Sequence, residues 1–241
     1  MAITNAFEQS HPPLVVIAGG SSAAGVAVAQ ALVSAGFRVA TVGSDAGRIK
    51  AAADQTGGAL PFTCDLADPE SVASLAEQIH HDHGTVDGLI HLVGGWRGGK
   101  GLAAQTDADW DFLHHSVLTT LRNTTRTFYA DIAASPVGRI AIVSSTSVTA
   151  PTLGNANYAA IKAAAETWVQ ALASGLAGET TENTAAAVVL VVKALVDDAM
   201  RAKAPERKFP GFTDVAVMGQ TVVGLFSTPA AQLNGDRIVL N

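Results

Sequence analysis

Leu14-Val15-Val16-Ile17-Ala18-Gly19-Gly20-Ser21-Ser22-Ala23-Ala24-Gly25 decides the fold. Five apolar residues in a row suit a short strand buried on both faces, as in a parallel sheet. The run stops at a glycine pair. Small residues then lead into a helical stretch, Ala24 to Ala35, which ends at Gly36, a natural C-cap position. A glycine-rich turn between strand and helix lets the backbone approach a pyrophosphate and aims a helix N-terminus at it. An ordinary βα loop of small residues is the plainer alternative.

The same alternation continues along the chain. Strands are expected at Val39–Val42, Pro61–Cys64, Leu89–Val93, Arg139–Val143, Ala185–Val192 and Arg237–Leu240. Helices fall between them, around Ala46–Gln55, Glu70–His83, Trp110–Ile132 and Tyr158–Leu176. This order predicts an α/β fold: a Rossmann-like, doubly wound parallel sheet in three α/β/α layers, as a single domain over residues 1–241. Residues 1–12 read as an N-terminal extension.

Composition narrows the function classes. Of 241 residues, 48% are hydrophobic and 15% charged, which argues for extensive burial and against disorder. A net charge of −6 gives no basic footprint, so nucleic acid is not an expected partner. Cys64, the single cysteine, cannot form an internal disulfide, and its setting reads as a strand interior. The N-terminus lacks the positive region of a signal peptide, and Leu14–Ala18 is too short to span a bilayer. The expectation is a cytoplasmic protein with no membrane partner.

Tyr158-Ala-Ala-Ile-Lys162 carries the clearest chemistry, thirteen positions after Ser145 at the end of an apolar run. Residues four apart share one helix face, so the Lys162 ammonium is expected beside the Tyr158 phenol. A nearby positive charge favours the phenolate and lowers a phenol pKa that starts near ~10. A strand-end hydroxyl then holds a carbonyl oxygen against the phenol. Taken alone, Ser145 also reads as a turn-satisfying hydroxyl and Tyr158 as a partly buried aromatic.

With these motifs in place the chain resembles the short-chain dehydrogenase/reductase family, from the first strand almost to the C-terminus. The family's Thr-Gly-x-x-x-Gly-x-Gly turn is read as Ala18 to Gly25, with Ala23 at the middle glycine. The resemblance implies catalytic Ser145, Tyr158 and Lys162, with Tyr158 as general acid or base. Lys162 is then also a ligand of the nicotinamide ribose. It implies that Gly19, Ser21, Ser22, Ala23, Ala24, Gly25, Ser44, Asp65, Leu66, Val93 and Gly94 bind cofactor, together with Tyr158 and Lys162. The family's Asn-Asn-Ala-Gly appears as His91-Leu92-Val93-Gly94, its helix asparagine falls at Val117, and its Pro-Gly pair is Lys193-Ala194.

The implied activity is hydride transfer between a nicotinamide cofactor and a small-molecule carbonyl or alcohol. At the end of the second strand Gly43 replaces the acid that would repel a 2′-phosphate, and Ser44 follows, with Arg48 one turn on. NADP(H) is favoured over NAD(H). Family likeness also implies a homo-oligomer, tetramer or dimer, through the helices over Trp110–Ile132 and Tyr158–Leu176, and a substrate lid at 193–212. The alternative is a non-catalytic dinucleotide-binding protein, a redox sensor or inactive subunit. An isomerase or dehydratase on the same fold is a third reading.

Other features keep two readings. In Gly94–Gly101, Trp96 and Arg97 either touch substrate or belong to a flexible loop. The lid cations Arg201, Lys203, Arg207 and Lys208 read as solvated charge more readily than as a site for an acidic substrate. His80, His81 and His83 suit a helix C-terminus, and no metal is expected. His91 reads as a core histidine rather than a cofactor contact.

Overall fold

The structure, a computed structural model, describes residues 11–178 and 184–240. Residues 1–10 of the expected extension lie outside them. Strand β1 (Leu14–Ala18) runs through the middle of a seven-stranded sheet. It is followed by α1 (Ala23–Ser34), β2 (Arg38–Gly43), α2 (Ala46–Ala53), β3 (Leu60–Thr63), α3 (Pro69–His83) and β4 (Gly88–His91). The second half comprises α4 (Asp107–Leu113), a π-helical segment (His114–Thr119), α5 (Thr120–Ala134), β5 (Arg139–Ser145), α6 (Ala156–Gly178) and β6 (Ala186–Val192). The last part contains β7 (Leu195–Val196), α7 (Asp198–Lys203), β8 (Thr213–Asp214), α8 (Val215–Ser227), α9 (Ala230–Leu233) and β9 (Arg237–Val239).

The strand order is β3-β2-β1-β4-β5-β6-β9, parallel throughout, so the doubly wound α/β expectation holds. Alternate residues of each strand face opposite layers. In β1, Leu14 and Val16 pack toward α3, α5 and α6, around Val72, Phe128 and Val169. Val15 and Ile17 pack toward α1 and α8, around Leu32, Met218 and Val222. Burying the sheet on both faces is what continuous apolar strands require. The order reverses between β1 and β4, and open α/β sheets bind ligands beyond the strand ends at such a point.

Several expected boundaries shift. Cys64 lies one residue past β3 rather than inside it, although its N–H still bonds Gly43 O and it is buried. Strand β4 ends at His91, which leaves Leu92 and Val93 in the loop above the sheet. The long helix expected over Trp110–Ile132 is three pieces, α4, the π segment and α5. Ser116 Oγ donates to Phe112 O, and Thr120 Oγ1 to Ser116 O.

At the opposite end of the sheet Arg139 is 3% exposed and donates to the carbonyls of Leu225, Gly138, Thr184 and Thr228. Burial pushes its pKa down to about 10. This guanidinium ties β5 to α8 and to the approach to β6. Among the described residues no helix is long and apolar enough to cross a membrane.

Candidate active site

The turn after β1 is shaped by two close backbone approaches. Gly19 has φ +86°, and a Cβ there would sit 3.0 Å from the Leu92–Val93 peptide. A Cβ on Gly25 would lie 2.6 Å from Gly19 O. Ser22 closes the turn: its Oγ donates to Gly19 O at 2.9 Å and accepts from Gly25 N at 3.0 Å, capping α1.

Two cavities meet at this turn. One, of about 390 Å³, is lined by Gly19, Ser21, Ser22, Ser44, Asp65, Leu66, Val93 and Gly94, all expected cofactor residues. Arg48, His115, Ser116 and Thr120 also line it. The other, of about 340 Å³, is lined by Ala24, Val93, Trp96, Ser145, Tyr158 and Lys162, with Lys193 and Leu195 on its far wall. Leu92 and Val93 are shared, so the two form one trough across the strand ends. Two expected residues do not line it. Ala23 is an exposed methyl at the helix start, and Gly25 packs beneath the turn.

A nicotinamide dinucleotide fits this arrangement. The trough runs from the end of β2 past the N-terminus of α1 to the end of β5, and backbone rather than bulky side chains forms its floor at the turn. Asn123 of α5 holds the 66–67 segment of its wall by donating to Leu66 O and Ala67 O.

Ser145, Tyr158 and Lys162 converge in the second cavity. Ser145 Oγ accepts from Ser147 N at 3.1 Å, and that bond leaves the hydroxyl hydrogen free to donate. Lys162 is 7% exposed and donates from Nζ to Val143 O at 2.7 Å. Burial pushes its pKa down to about 8, while Glu166 pulls it upward. The ammonium lies 6.0 Å from the Tyr158 ring centroid.

The expectation that Lys162 lowers the Tyr158 pKa is corrected here. The phenol is raised above its ordinary value by burial, and the facing Ser145 hydroxyl offsets only part of this.

The remaining candidates separate. His91 is a core histidine, its Nε2 3.0 Å from Thr120 Oγ1. Burial, and then Lys162, depress its pKa to about 3, so the ring is neutral. Val117, at the family's asparagine position, is buried in the π segment. Trp96 reaches the second cavity, but Arg97 lies over the Phe112 ring at 3.7 Å and pairs with Asp109. Its loop is anchored, with Gly99 N bonded to Gly154 O.

Arg201, Lys203, Arg207 and Lys208 are all exposed, in line with solvated charge, and two of them also have partners. Arg207 lies 5.0 Å from the Phe209 ring, and Arg201 pairs with Asp214. Lys193 donates to Pro210 O at 2.9 Å. His80 pairs with Asp131, His81 with Asp82, and His83 meets the edge of Phe62.

Glu166 and Arg237 stand beside the site without belonging to any motif. Glu166 follows Lys162 by one helical turn, and that spacing was a signal. Arg237 had none, being distant in sequence.

Comparison with known proteins supplies the family. Residues 13–208 match the short chain dehydrogenase family. The chain is 26% identical over 236 residues to the 3-oxoacyl-(acyl-carrier-protein) reductase FabG of Salmonella typhimurium, covering 95% of each. It is 31% identical over 178 residues to the acetoacetyl-CoA reductase of Cupriavidus necator, covering 71% of this chain and 72% of that one. Among solved structures, an NADPH-bound short chain oxidoreductase of Pseudomonas aeruginosa PAO1, described as containing an atypical catalytic center, superposes with TM-score 0.83. It has 20% identity and coverage of 95% and 96%. The match begins just before β1 and runs beyond α7, and the trough lies where the strand order reverses; the chain therefore belongs to the short chain dehydrogenase family of oxidoreductases.

Proposed function

We propose that the protein is an NADPH-dependent reductase that turns a ketone into a secondary alcohol, with Ser145, Tyr158 and Lys162 as its catalytic residues. The observation that carries this reading is their convergence on one cavity, with the Ser145 and Tyr158 hydroxyls facing each other and Lys162 buried alongside. When bound, the reduced nicotinamide supplies the hydride. Ser145 donates a hydrogen bond to the carbonyl oxygen, and Tyr158 donates its proton to that oxygen as negative charge develops there. The phenol is protonated at neutral pH already at its ordinary value, and burial raises it further, so it gives up its proton only as negative charge develops on the facing oxygen. Lys162, held by Val143 O alongside the phenol, is placed to hydrogen-bond the nicotinamide ribose.

Support for NADPH over NADH comes from the end of β2. Ser44 and Arg48 line the trough there, whereas Asp45 is turned into α2, its Oδ1 accepting from Arg48 N at 2.8 Å. A 2′-phosphate would thus meet the Ser44 hydroxyl and the Arg48 guanidinium, the latter shared with Asp45 Oδ2 at 3.8 Å from Arg48 Nε. The 193–212 segment, held by Lys193 and the β7–β8 pair, acts as the substrate lid. The two reductase relatives make 3-oxoacyl thioesters the first substrate class to test. Assembly is through α5 and α6, as a homo-oligomer. The non-catalytic alternative gains no support from a site that retains all three catalytic side chains.

The test is consumption of NADPH or NADH with acetoacetyl-CoA and a panel of neutral ketones, beside Ser145→Ala. Turnover that prefers NADPH and drops about 100-fold in the variant is expected. Tight NADPH binding with no consumption on any ketone would overturn the reading.

A further inference from the structure

Three consecutive residues at the end of β5 are each held by a different charged side chain. Lys162 Nζ takes Val143 O. Glu166 Oε1 accepts from Ser144 Oγ at 2.5 Å. Arg237 Nη2 donates to Ser145 O at 3.2 Å, and Arg237 Nε donates to Glu166 Oε2 at 3.0 Å. Glu166 comes from α6 and Arg237 from β9, the edge strand, so helix and sheet edge close on the strand end that carries the proposed catalytic serine. The two side chains are 14% and 28% exposed, which makes the pair partly desolvated and charge-assisted rather than a loose surface contact.

We propose that Glu166 and Arg237 are positioning residues for the reaction. They clamp Ser144 and Ser145 at the wall of the cavity and set the electrostatic field around Lys162. This rests on the reading of Ser145 and Lys162 given above. Both Glu166 oxygens and two Arg237 nitrogens are committed, so the strand end has little freedom to move the Ser145 hydroxyl. A misplacement of about 1 Å at a reacting group can cost on the order of 100-fold in rate.

The electrostatic part has a sign. Burial disfavours the Lys162 ammonium and Glu166 offsets part of this, while Arg237 is a like charge behind Glu166. The other charged or titratable groups near Lys162 are Tyr158 on its own helix, Lys193 on the far wall of the same cavity, where its Nζ donates to Pro210 O, and His91 from β4, which is neutral. Strand β6 carries no titratable side chain, and Arg139 lies at the far end of β5. His114 and His115 of the π segment are exposed, as are Asp107 and Asp111 of α4; Asp109 of α4 pairs with Arg97. Removing Glu166 therefore makes Lys162 easier to deprotonate, and removing Arg237 makes it harder.

Lysine-selective NMR of the ε-carbons tests this on the whole chain, which has six lysines, with Lys162→Arg assigning the signal. The Lys162 midpoint is expected near about 8 in the parent protein. It should move to lower pH in Glu166→Gln and to higher pH in Arg237→Met, and return toward the parent value in Arg237→Lys. In parallel, kcat for NADPH with acetoacetyl-CoA should fall about tenfold in Glu166→Gln and Arg237→Met with little change in KM. Shifts in the same direction, or an unmoved midpoint, would overturn the proposal. Opposite shifts in a protein that reduces no ketone uphold the clamp and refute the reductase reading. Turnover with an unmoved midpoint refutes the clamp alone.

Discussion

Lys162 donates its 2.7 Å hydrogen bond to Val143 O, which ties the ammonium to the end of β5 and leaves it 6.0 Å from the Tyr158 ring centroid. The helix spacing of four residues brings the two side chains to one face but does not point one at the other. Burial accordingly outweighs the facing Ser145 hydroxyl and raises the phenol above its ordinary value.

Lys162 gives stability a pH dependence with a definite sign. Its amine titrates near about 8 in the folded protein against an ordinary 10.5, so between these values the unfolded chain holds the extra proton. The contribution of Lys162 to stability therefore rises with pH across that window. Denaturant unfolding of the parent and of Lys162→Met should show the difference moving in favour of the parent from pH 8 to 10.5. Parallel pH curves would contradict the buried ammonium.

Arg139 is predicted to be structural. Arg139→Met leaves the carbonyls of Leu225, Gly138, Thr184 and Thr228 without this donor in a buried setting. With each unsatisfied group costing about 1–3 kcal/mol, the loss should be about 3 kcal/mol or more. Urea unfolding measures it; a loss under about 1 kcal/mol would show that water replaces the guanidinium.

Gly25→Ala should weaken NADPH binding as well as stability. Its Cβ would lie 2.6 Å from Gly19 O, so the turn has to open. A cost of about 1–3 kcal/mol is expected in unfolding, together with a several-fold rise in NADPH Kd. Ala23→Gly, at an exposed position that lines neither cavity, should leave Kd within about twofold and lose about 0.5–1 kcal/mol through helix propensity.

Arg48→Glu tests the cofactor preference. The change places a carboxylate at the rim that Ser44 and Arg48 now form. NADPH affinity, followed by fluorescence titration, should fall about tenfold or more while NADH affinity stays level or improves. Equal losses for both would locate the 2′-phosphate elsewhere.

Much of the fold was legible because apolar runs such as Leu14–Ala18 and Ala186–Val192 have one stable setting, a sheet buried on both faces. The glycine-rich turn after β1 was legible for a similar reason: the tight approach at Gly19 and Gly25 admits no side chain. The π segment was not, since the apolar spacing over Trp110–Ile132 is the same for one unbroken helix. Arg97 was ambiguous until Phe112 and Asp109 were found beneath it.

The site divides along the same line. Ser145, Tyr158 and Lys162 could be found by spacing, because one strand end and one helix face place them together. Their electrostatics could not, because the Tyr158 and Lys162 pKa values follow from depth of burial and from where Nζ points. Arg237 lies 71 residues from Glu166 and pairs with it only once β9 joins the sheet beside β6.

The most direct test of the account is Tyr158→Phe, assayed for NADPH affinity and for NADPH-dependent reduction of acetoacetyl-CoA in the same preparation. The account predicts Kd within about threefold of the parent and a loss of kcat of about 100-fold or more, the usual range for removing a general acid. Undiminished turnover in Tyr158→Phe would contradict it.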